Sequence, residues 1–202
     1  MSGDTIEWLQ DSCFTEFGYC VTFGRGLSAR ELLRRMGCDV TRTARKSVID
    51  ANHWIEDVAE EFGRAAVAGR EGVIRAGEAD GWAFAVEDAG SRGTHRDVLA
   101  AVSAGTVALS TFENINALTM FHYAQAGDVV CGFDRPRDRW GSDPDRLVPH
   151  LTRAGLLLAD GTQPDLGIDE RQRLLHRMMH TEFGTTLPRE DVEHGELLAA
   201  MY

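Results

Sequence analysis

The sequence has fewer basic residues than acidic ones. It has 21 Lys and Arg against 32 Asp and Glu in 202 residues, which gives a formal net charge of −11 at pH 7. Sequence-independent binding to nucleic acid or to an anionic membrane needs a surface rich in Lys and Arg. The composition therefore argues against both classes of partner.

Cysteine is scarce, and long apolar runs do not occur. The four cysteines form no CxxC pair of the kind found in zinc ribbons and redox couples, so we expect reduced, buried thiols. No run of about 18 apolar residues is present. The acidic segment Met1–Glu7 lacks the basic and apolar regions of a signal peptide, and the sequence therefore predicts a cytoplasmic protein.

Motifs of the common catalytic classes are also missing. Ser103 has no GxSxG around it, and Gly24-Arg25-Gly26 lacks the third glycine of a dinucleotide fingerprint. Cys20 and Cys131 lie in apolar segments where desolvation would raise a thiol pKa. We predict no cofactor, and the motifs leave open whether the protein is an enzyme.

The patterning that is present indicates an α+β protein, with 43% hydrophobic and 26% charged residues. Ser28 and Glu31 form the capping box of a helix. Apolar residues between Val48 and Phe62 recur every three or four positions, which predicts an amphipathic helix with an acidic outer face. Alternation predicts a core strand at 82–87 and a three-stranded antiparallel meander at about 106–133.

The predicted architecture is a single α+β domain over residues 1–202. We expect a mainly antiparallel sheet, helices on one side, and a C-terminal helical layer at 156–202 packed on the same core. The connection between strands 82–87 and 106–112 contains a helix and is long enough for a crossover, so these two strands could be parallel neighbours.

Several motifs recur in a characteristic order: YCVTFGRGLS at 19–28, Gly-Trp at 81–82 followed by Val-Glu at 86–87, SAGT at 103–106, FENINA at 112–117 and GSDPDRL at 141–147. Their order and spacing resemble an uncharacterised, largely actinobacterial family classed as a domain of unknown function, over roughly Trp8 to Leu157. The resemblance implies a cytoplasmic, single-domain protein and supplies no catalytic residues. Related sequences usually have an Asn-Gly-aromatic turn after Glu87, whereas this chain has Asp88-Ala89-Gly90-Ser91-Arg92.

Parallel pairing would bring two carboxylates together. Glu87 and Glu113 end the two strands, and Asn114 and Asn116 follow the second, at the edge where open α/β sheets tend to bind ligands. Two carboxylates with amide donors could act as acid and base or bind a cation. The alternative is that both asparagines form a turn and both acids are solvated.

Three histidines are weaker candidates. His176 and His180 lie four apart on a predicted helix, which is metal-ligand spacing, but Arg177 departs from HExxH and a solvated or partner-facing pair is the alternative. His122 is a proton-transfer candidate by position only, with a hydrogen-bonded sheet histidine as the alternative. We therefore assign no metal site.

The loop with Arg137, Arg139 and Trp140 is a candidate binding surface, because Trp and Arg are enriched at protein interface hot spots. An anion or an acidic partner could dock there. Alternatively, neighbouring aspartates neutralise the arginines and Trp140 anchors the loop.

Two functions compete on this sequence. The first is a protein-binding or accessory protein, immunity-like, that recognises another protein through an acidic surface and the Trp140 loop. The second is a small-molecule enzyme of specialised metabolism, a hydrolase, isomerase or cyclase that uses Glu87, Glu113 and His122 for proton transfer. The partner is accordingly a protein or a small molecule, and the sequence does not give the oligomeric state.

Overall fold

A computed structural model describes residues 5–202 and contains one eight-stranded sheet. In chain order, the strands are β1 Tyr19–Arg25, β2 Thr43–Lys46, β3 Val73–Ala79, β4 Trp82–Asp88, β5 Val107–Glu113, β6 Thr119–Gln125, β7 Asp128–Phe133 and β8 Leu197–Met201. Their order across the sheet is β2-β8-β3-β4-β1-β5-β6-β7, and each pair of neighbours is antiparallel. The predicted α+β class and the meander β5-β6-β7 are confirmed.

Helices occupy much of the remaining chain. The α-helices are α1 Phe14–Phe17, α2 Ala29–Arg35, α3 Val48–Phe62, α4 Arg96–Ser103, α5 Val148–Arg153, α6 Ile168–Phe183 and α7 Arg189–Glu193. As predicted, Ser28 caps α2, with its hydroxyl accepting from the backbone N–H of Glu31 at 3.2 Å. No helix formed by residues 5–202 is long and apolar enough to cross a membrane.

The predicted parallel pair is wrong. Strand β1 lies between β4 and β5 and is antiparallel to both, so β4 and β5 run in the same direction without being hydrogen-bonded to each other. The helical connection through α4 passes over β1 instead of joining neighbours. A crossover of this length can skip a strand as readily as it joins two adjacent ones, and chain length alone could not distinguish the two arrangements.

Helices cover both faces of the sheet, in contrast to the expected single side. Alternate strand residues point to opposite faces. The aromatic face packs against α5 and α6 through large side chains that include Tyr19, Phe23, Trp82, Phe84 and Phe121. The alanine face packs against α2 and α4 through small side chains that include Ala76, Ala83, Ala85, Ala108 and Ala124.

The C-terminal layer is only partly helical. After the predicted helix, which is α6, and the five-residue α7, the chain enters the sheet as β8. This strand fills the position between β2 and β3, with Ala200 opposite both Thr43 and Ile74. Polar and apolar residues do not alternate along Leu197–Met201, because both faces of this strand are covered.

Candidate functional site

The structure separates the two predicted catalytic carboxylates. Glu87 lies opposite Cys20 of β1, whereas Glu113 lies opposite the preceding residue, Tyr19. Consecutive residues of a strand point to opposite faces, so Glu87 belongs to the alanine face and Glu113 to the aromatic face. With one strand and the sheet itself between them, the two carboxyl groups cannot reach one substrate, as shared acid and base catalysis would require.

Glu87 is a buried structural carboxyl. It is 1% exposed, and it accepts hydrogen bonds from the backbone N–H groups of Arg92 at 2.8 Å and Gly93 at 2.7 Å. These bonds hold the turn after β4 against the sheet. Burial raises the pKa of Glu87, and the two backbone donors oppose that rise.

Glu113 joins a polar network inside the aromatic face. Its Oε2 accepts from Gln10 Nε2 at 2.9 Å and from the Tyr19 hydroxyl at 3.3 Å. His176 Nε2 lies 3.5 Å from the Tyr19 hydroxyl and 3.3 Å from Thr111 Oγ1. Burial lowers the pKa of His176 to about 3, so the imidazole is neutral at pH 7. The network links the N-terminal segment, β1, β5 and α6.

The histidine pair of α6 does not converge on one point. His176 faces the network, whereas His180 Nδ1 lies 2.9 Å from the backbone carbonyl of Thr185. Among residues 5–202, no group of three or more His, Cys, Asp or Glu side chains could hold a metal ion.

His122 lies on the alanine face and is fully buried. Neither ring nitrogen has a hydrogen-bond partner among the described residues, and its ring meets that of Trp140 edge-on with centroids 5.4 Å apart. Desolvation lowers its pKa to about 4. The imidazole is therefore neutral at pH 7 and shielded from solvent.

The asparagines after β5 form a turn. Asn114 Oδ1 accepts from the backbone N–H groups of Asn116 at 2.9 Å and Leu118 at 3.0 Å. This bonding is the usual way in which Asn stabilises a tight turn. Asn116 itself is exposed at the tip of the turn.

The Trp140 loop is organised by its own residues. Arg139 donates to the carbonyls of Pro136 and Pro144 and forms an ion pair with Asp145 at 2.7 Å. Trp140 is 38% exposed and pairs with Gly132 of β7 through backbone hydrogen bonds. Arg137 extends outward, with Asp138 at 3.3 Å.

Helix α3 carries an exposed surface that sequence reasoning did not single out as a site. Of its fifteen residues only Ala51 is buried. The helix has five carboxylates and no Lys or Arg, and we call these residues the acidic ridge: Asp50, Glu56, Asp57, Glu60 and Glu61. Ile49 and Phe62 are 69% and 66% exposed. The acidic outer face was predictable, but the exposure of the apolar residues was not, because their periodicity is that of a buried helix.

A groove of about 430 Å³ lies beside the acidic ridge. Its apolar wall includes Ile55 and Phe17, and Phe17 is 64% exposed. Its polar wall includes Glu71 and Asp88, the latter accepting from Asn52 Nδ2 at 2.7 Å. The groove lining contains no basic residue. Phe17 is the last residue of α1 and lies at the groove.

The acidic ridge and Trp140 do not form one surface. Helix α3 contacts β2 and β3 at one end of the sheet, whereas Trp140 packs on β7 at the other. The predicted combination of an acidic surface with the Trp140 loop therefore divides into two separate surfaces.

Comparison with known proteins gives one match. Residues 4–176 match a family of unknown function, DUF6461. The matched region includes β1 to β7 and the first part of α6, and β8 lies beyond it. No curated protein and no solved structure shows a significant match to the chain.

Proposed function

For this chain, which belongs to DUF6461, a family of unknown function, we propose from the surface of α3 that the protein is a binding protein that recognises a basic protein partner. The partner docks on the acidic ridge and places an apolar side chain in the adjacent groove. One observation carries the proposal: α3 keeps apolar side chains exposed among five carboxylates, and only Ala51 of the helix is buried.

Charge supports a basic partner. The ridge adds five negative charges within one helix, and Glu71 and Asp88 extend the negative surface into the groove. The whole chain carries a net charge of −11, so the long-range field has the same sign as the local one. Such a field accelerates the association with a positively charged partner and weakens as salt rises.

The exposure of apolar side chains on and near α3 supports the docking of a partner at this surface. Ile49, Phe62 and Phe17 are each more than 60% exposed. Exposed apolar residues rimmed by charges are typical of protein interaction sites. The groove, which Phe17 and Ile55 line, can accept an aliphatic or aromatic side chain of the partner.

A second copy of this chain fits the surface poorly. In a symmetric contact through α3, the five carboxylates of one protomer would face the same five of the other. Like charges placed together at an interface cost several kcal/mol. A nuclease is one class of basic partner, because its phosphate-binding surface is positively charged. Inhibition of such a partner would make this an immunity-like protein.

Site-specific photo-crosslinking tests the proposal. A photoreactive phenylalanine analogue replaces Phe62 on α3 or, as the matched control, Leu158, which is 49% exposed in the loop after α5. We expect the Phe62 probe alone to form an adduct in a lysate of the source organism, with a basic protein, and expect the adduct to be lost at roughly 0.5 M salt.

Charge reversal completes the test. The double variant Glu60→Lys and Glu61→Lys retains the probe at position 62 but should abolish the adduct. An acidic partner, an adduct that forms equally at position 158, or an adduct that survives charge reversal would each contradict the proposal.

A further inference from the structure

A second cleft lies at the opposite end of the sheet, among the turn after β5, the loop after β7 and the start of α6. Its volume is about 460 Å³, within the range of small-molecule sites. Arg135, Arg137 and Arg171 line it, and we call it the arginine cleft. From these three guanidinium groups we infer that the cleft binds a small organic anion, a carboxylate or a phosphate ester with an apolar end.

Two of the three arginines of the cleft, Arg135 and Arg171, lack a carboxylate partner within the described chain. Arg173 and Arg177, on the same helix as Arg171, each form an ion pair with a carboxylate of the N-terminal segment, at 2.7 and 2.8 Å. The side chains of Arg135 and Arg171 have no ion pair or hydrogen bond among residues 5–202, although Arg171 is half-buried. A partly desolvated guanidinium without a carboxylate is the group that a bound anion would satisfy.

The two acids of the cleft leave the guanidinium groups available. Asp134 Oδ1 accepts from the backbone N–H of Arg135 at 2.6 Å, which orders the loop. Asp165 lines the cleft and is exposed. Arg137 reaches only Asp138, through Nε at 3.3 Å, so its terminal nitrogens are free within the described chain.

Two further features favour an anion with a hydrogen-bond donor. Helix α6 begins at the cleft, and its N-cap residue Gly167 offers no side chain to cap the first N–H groups. These groups and the helix dipole add positive potential, partly offset by acids in the first turn. Gln163 also lines the cleft, and its buried Oε1 atom lacks a partner in the described chain, so it can accept from a ligand hydroxyl or amide.

Part of the cleft wall is apolar. Leu118, Leu166 and Ile168 line the cleft together with the arginines. The ligand is therefore expected to place its charge at the arginines and its apolar end against these residues.

Titration calorimetry of the full chain tests the inference with three probes: mandelate, phenyl phosphate and the neutral benzyl alcohol. We expect at least one anion to bind with a Kd below about 1 mM and the alcohol to bind far more weakly. Binding of mandelate alone identifies a carboxylate site, and binding of phenyl phosphate alone identifies a phosphate-ester site.

Matched variants on α6 separate the cleft from general charge. Arg171→Gln should weaken anion binding by about tenfold or more, since a charge-assisted hydrogen bond is lost. Arg171→Lys should retain part of the affinity. Arg177→Gln, which removes the same charge from the same helix outside the cleft, should leave the affinity unchanged.

Three results would overturn the inference: no anion that binds with a Kd below about 1 mM, equal binding of benzyl alcohol, or equal losses for Arg171→Gln and Arg177→Gln. Unfolding midpoints of each variant exclude misfolding as the cause of a loss. Failure here leaves the crosslinking result at α3 unaffected, because the two surfaces lie at opposite ends of the sheet.

Discussion

The aromatic face and the alanine face of the sheet bury residues of different size, and they treat their polar groups differently. On the aromatic face, Tyr19, Glu113 and His176 share hydrogen bonds, and of the two His176 nitrogens only Nδ1 has no partner among the described residues. On the alanine face, both nitrogens of His122 and the hydroxyl of Thr22 have no partner among the described residues. Large side chains leave room for polar groups from α6 to meet those of the sheet. Alanine side chains are small, and α2 and α4 pack on this face mainly through apolar residues. The exception is the backbone N–H of Ala29, which donates to Glu78 Oε1 at 2.8 Å.

The largest expected effect on stability comes from substitutions that compare packing on the aromatic face with packing on the alanine face. Phe84→Ala removes a ring that is 1% exposed on the aromatic face and should lower the free energy of unfolding by about 3–5 kcal/mol. Ala85→Leu adds volume to the alanine face and should cost about 1–3 kcal/mol by overpacking. Urea unfolding measures both. A neutral Ala85→Leu would show that the alanine face has spare volume.

Lowering the pH should reduce the free energy of unfolding through His122. Its pKa in the folded protein is lowered from the ordinary 6.5 to about 4, so the unfolded chain binds a proton that the folded one excludes. The resulting loss of folding stability is absent above about pH 7 and grows as the pH falls from 6.5 to 4. Relative to wild type, His122→Leu should gain about 2–3 kcal/mol of stability over that interval.

The measurement for His122 is urea unfolding of both proteins at several pH values between 4 and 7. Taking the difference between the proteins cancels the opposite contribution of Glu87, whose raised pKa stabilises the fold at low pH. A difference that does not change with pH would show that His122 reaches solvent in the folded state.

At neutral pH, the same substitution on the two faces should give different results. His176→Leu leaves the Thr111 hydroxyl without its partner at 3.3 Å and should cost about 1–3 kcal/mol. His122→Leu removes two unpartnered nitrogens and should be neutral or stabilising. Thermal unfolding at pH 7.5 compares them. Equal losses would mean that His122 has a partner, such as a buried water.

The smallest effects are expected at the surfaces outside the two faces. Arg173 pairs with Asp11 above the aromatic face, and Arg34 pairs with Glu31 above the alanine face, each at 2.7 Å. Both pairs are exposed, so replacing either arginine with Ala should change the free energy of unfolding by less than about 1 kcal/mol. A larger loss at Arg173 alone would indicate that the N-terminal segment is held mainly by that pair.

Local features of the fold were predictable from the sequence, whereas long-range pairing was not. The Ser28 cap and the β5-β6-β7 meander depend on residues close in the chain, and both were found. The position of β1 between β4 and β5 depends on pairs such as Tyr19 with Asp88 and Tyr19 with Glu113, which are far apart in the chain, and no local pattern encodes it. For the same reason Glu87 and Glu113 were placed together on the sequence and are apart in the structure.

The candidate sites divide in the same way. The acidic outer face of α3 follows from its periodicity, and Arg137 was recognised within a basic loop. Arg135 lies in the same loop, whereas Arg171 lies on α6 beside the turn after β5. Only the folded chain brings them together, and only its ion pairs and hydrogen bonds show which of them lack a carboxylate partner.

The place of β8 has a consequence for synthesis of the chain. Ala200 pairs with Ile74, so the hydrogen-bonding edge of β3 has no partner until the ribosome has added more than a hundred further residues. At 5–20 residues per second this interval is roughly 6–25 s. Throughout that time the nascent chain presents an open strand edge of the kind that pairs with other chains. Slow translation should therefore increase the demand of this protein for chaperones that shield such edges.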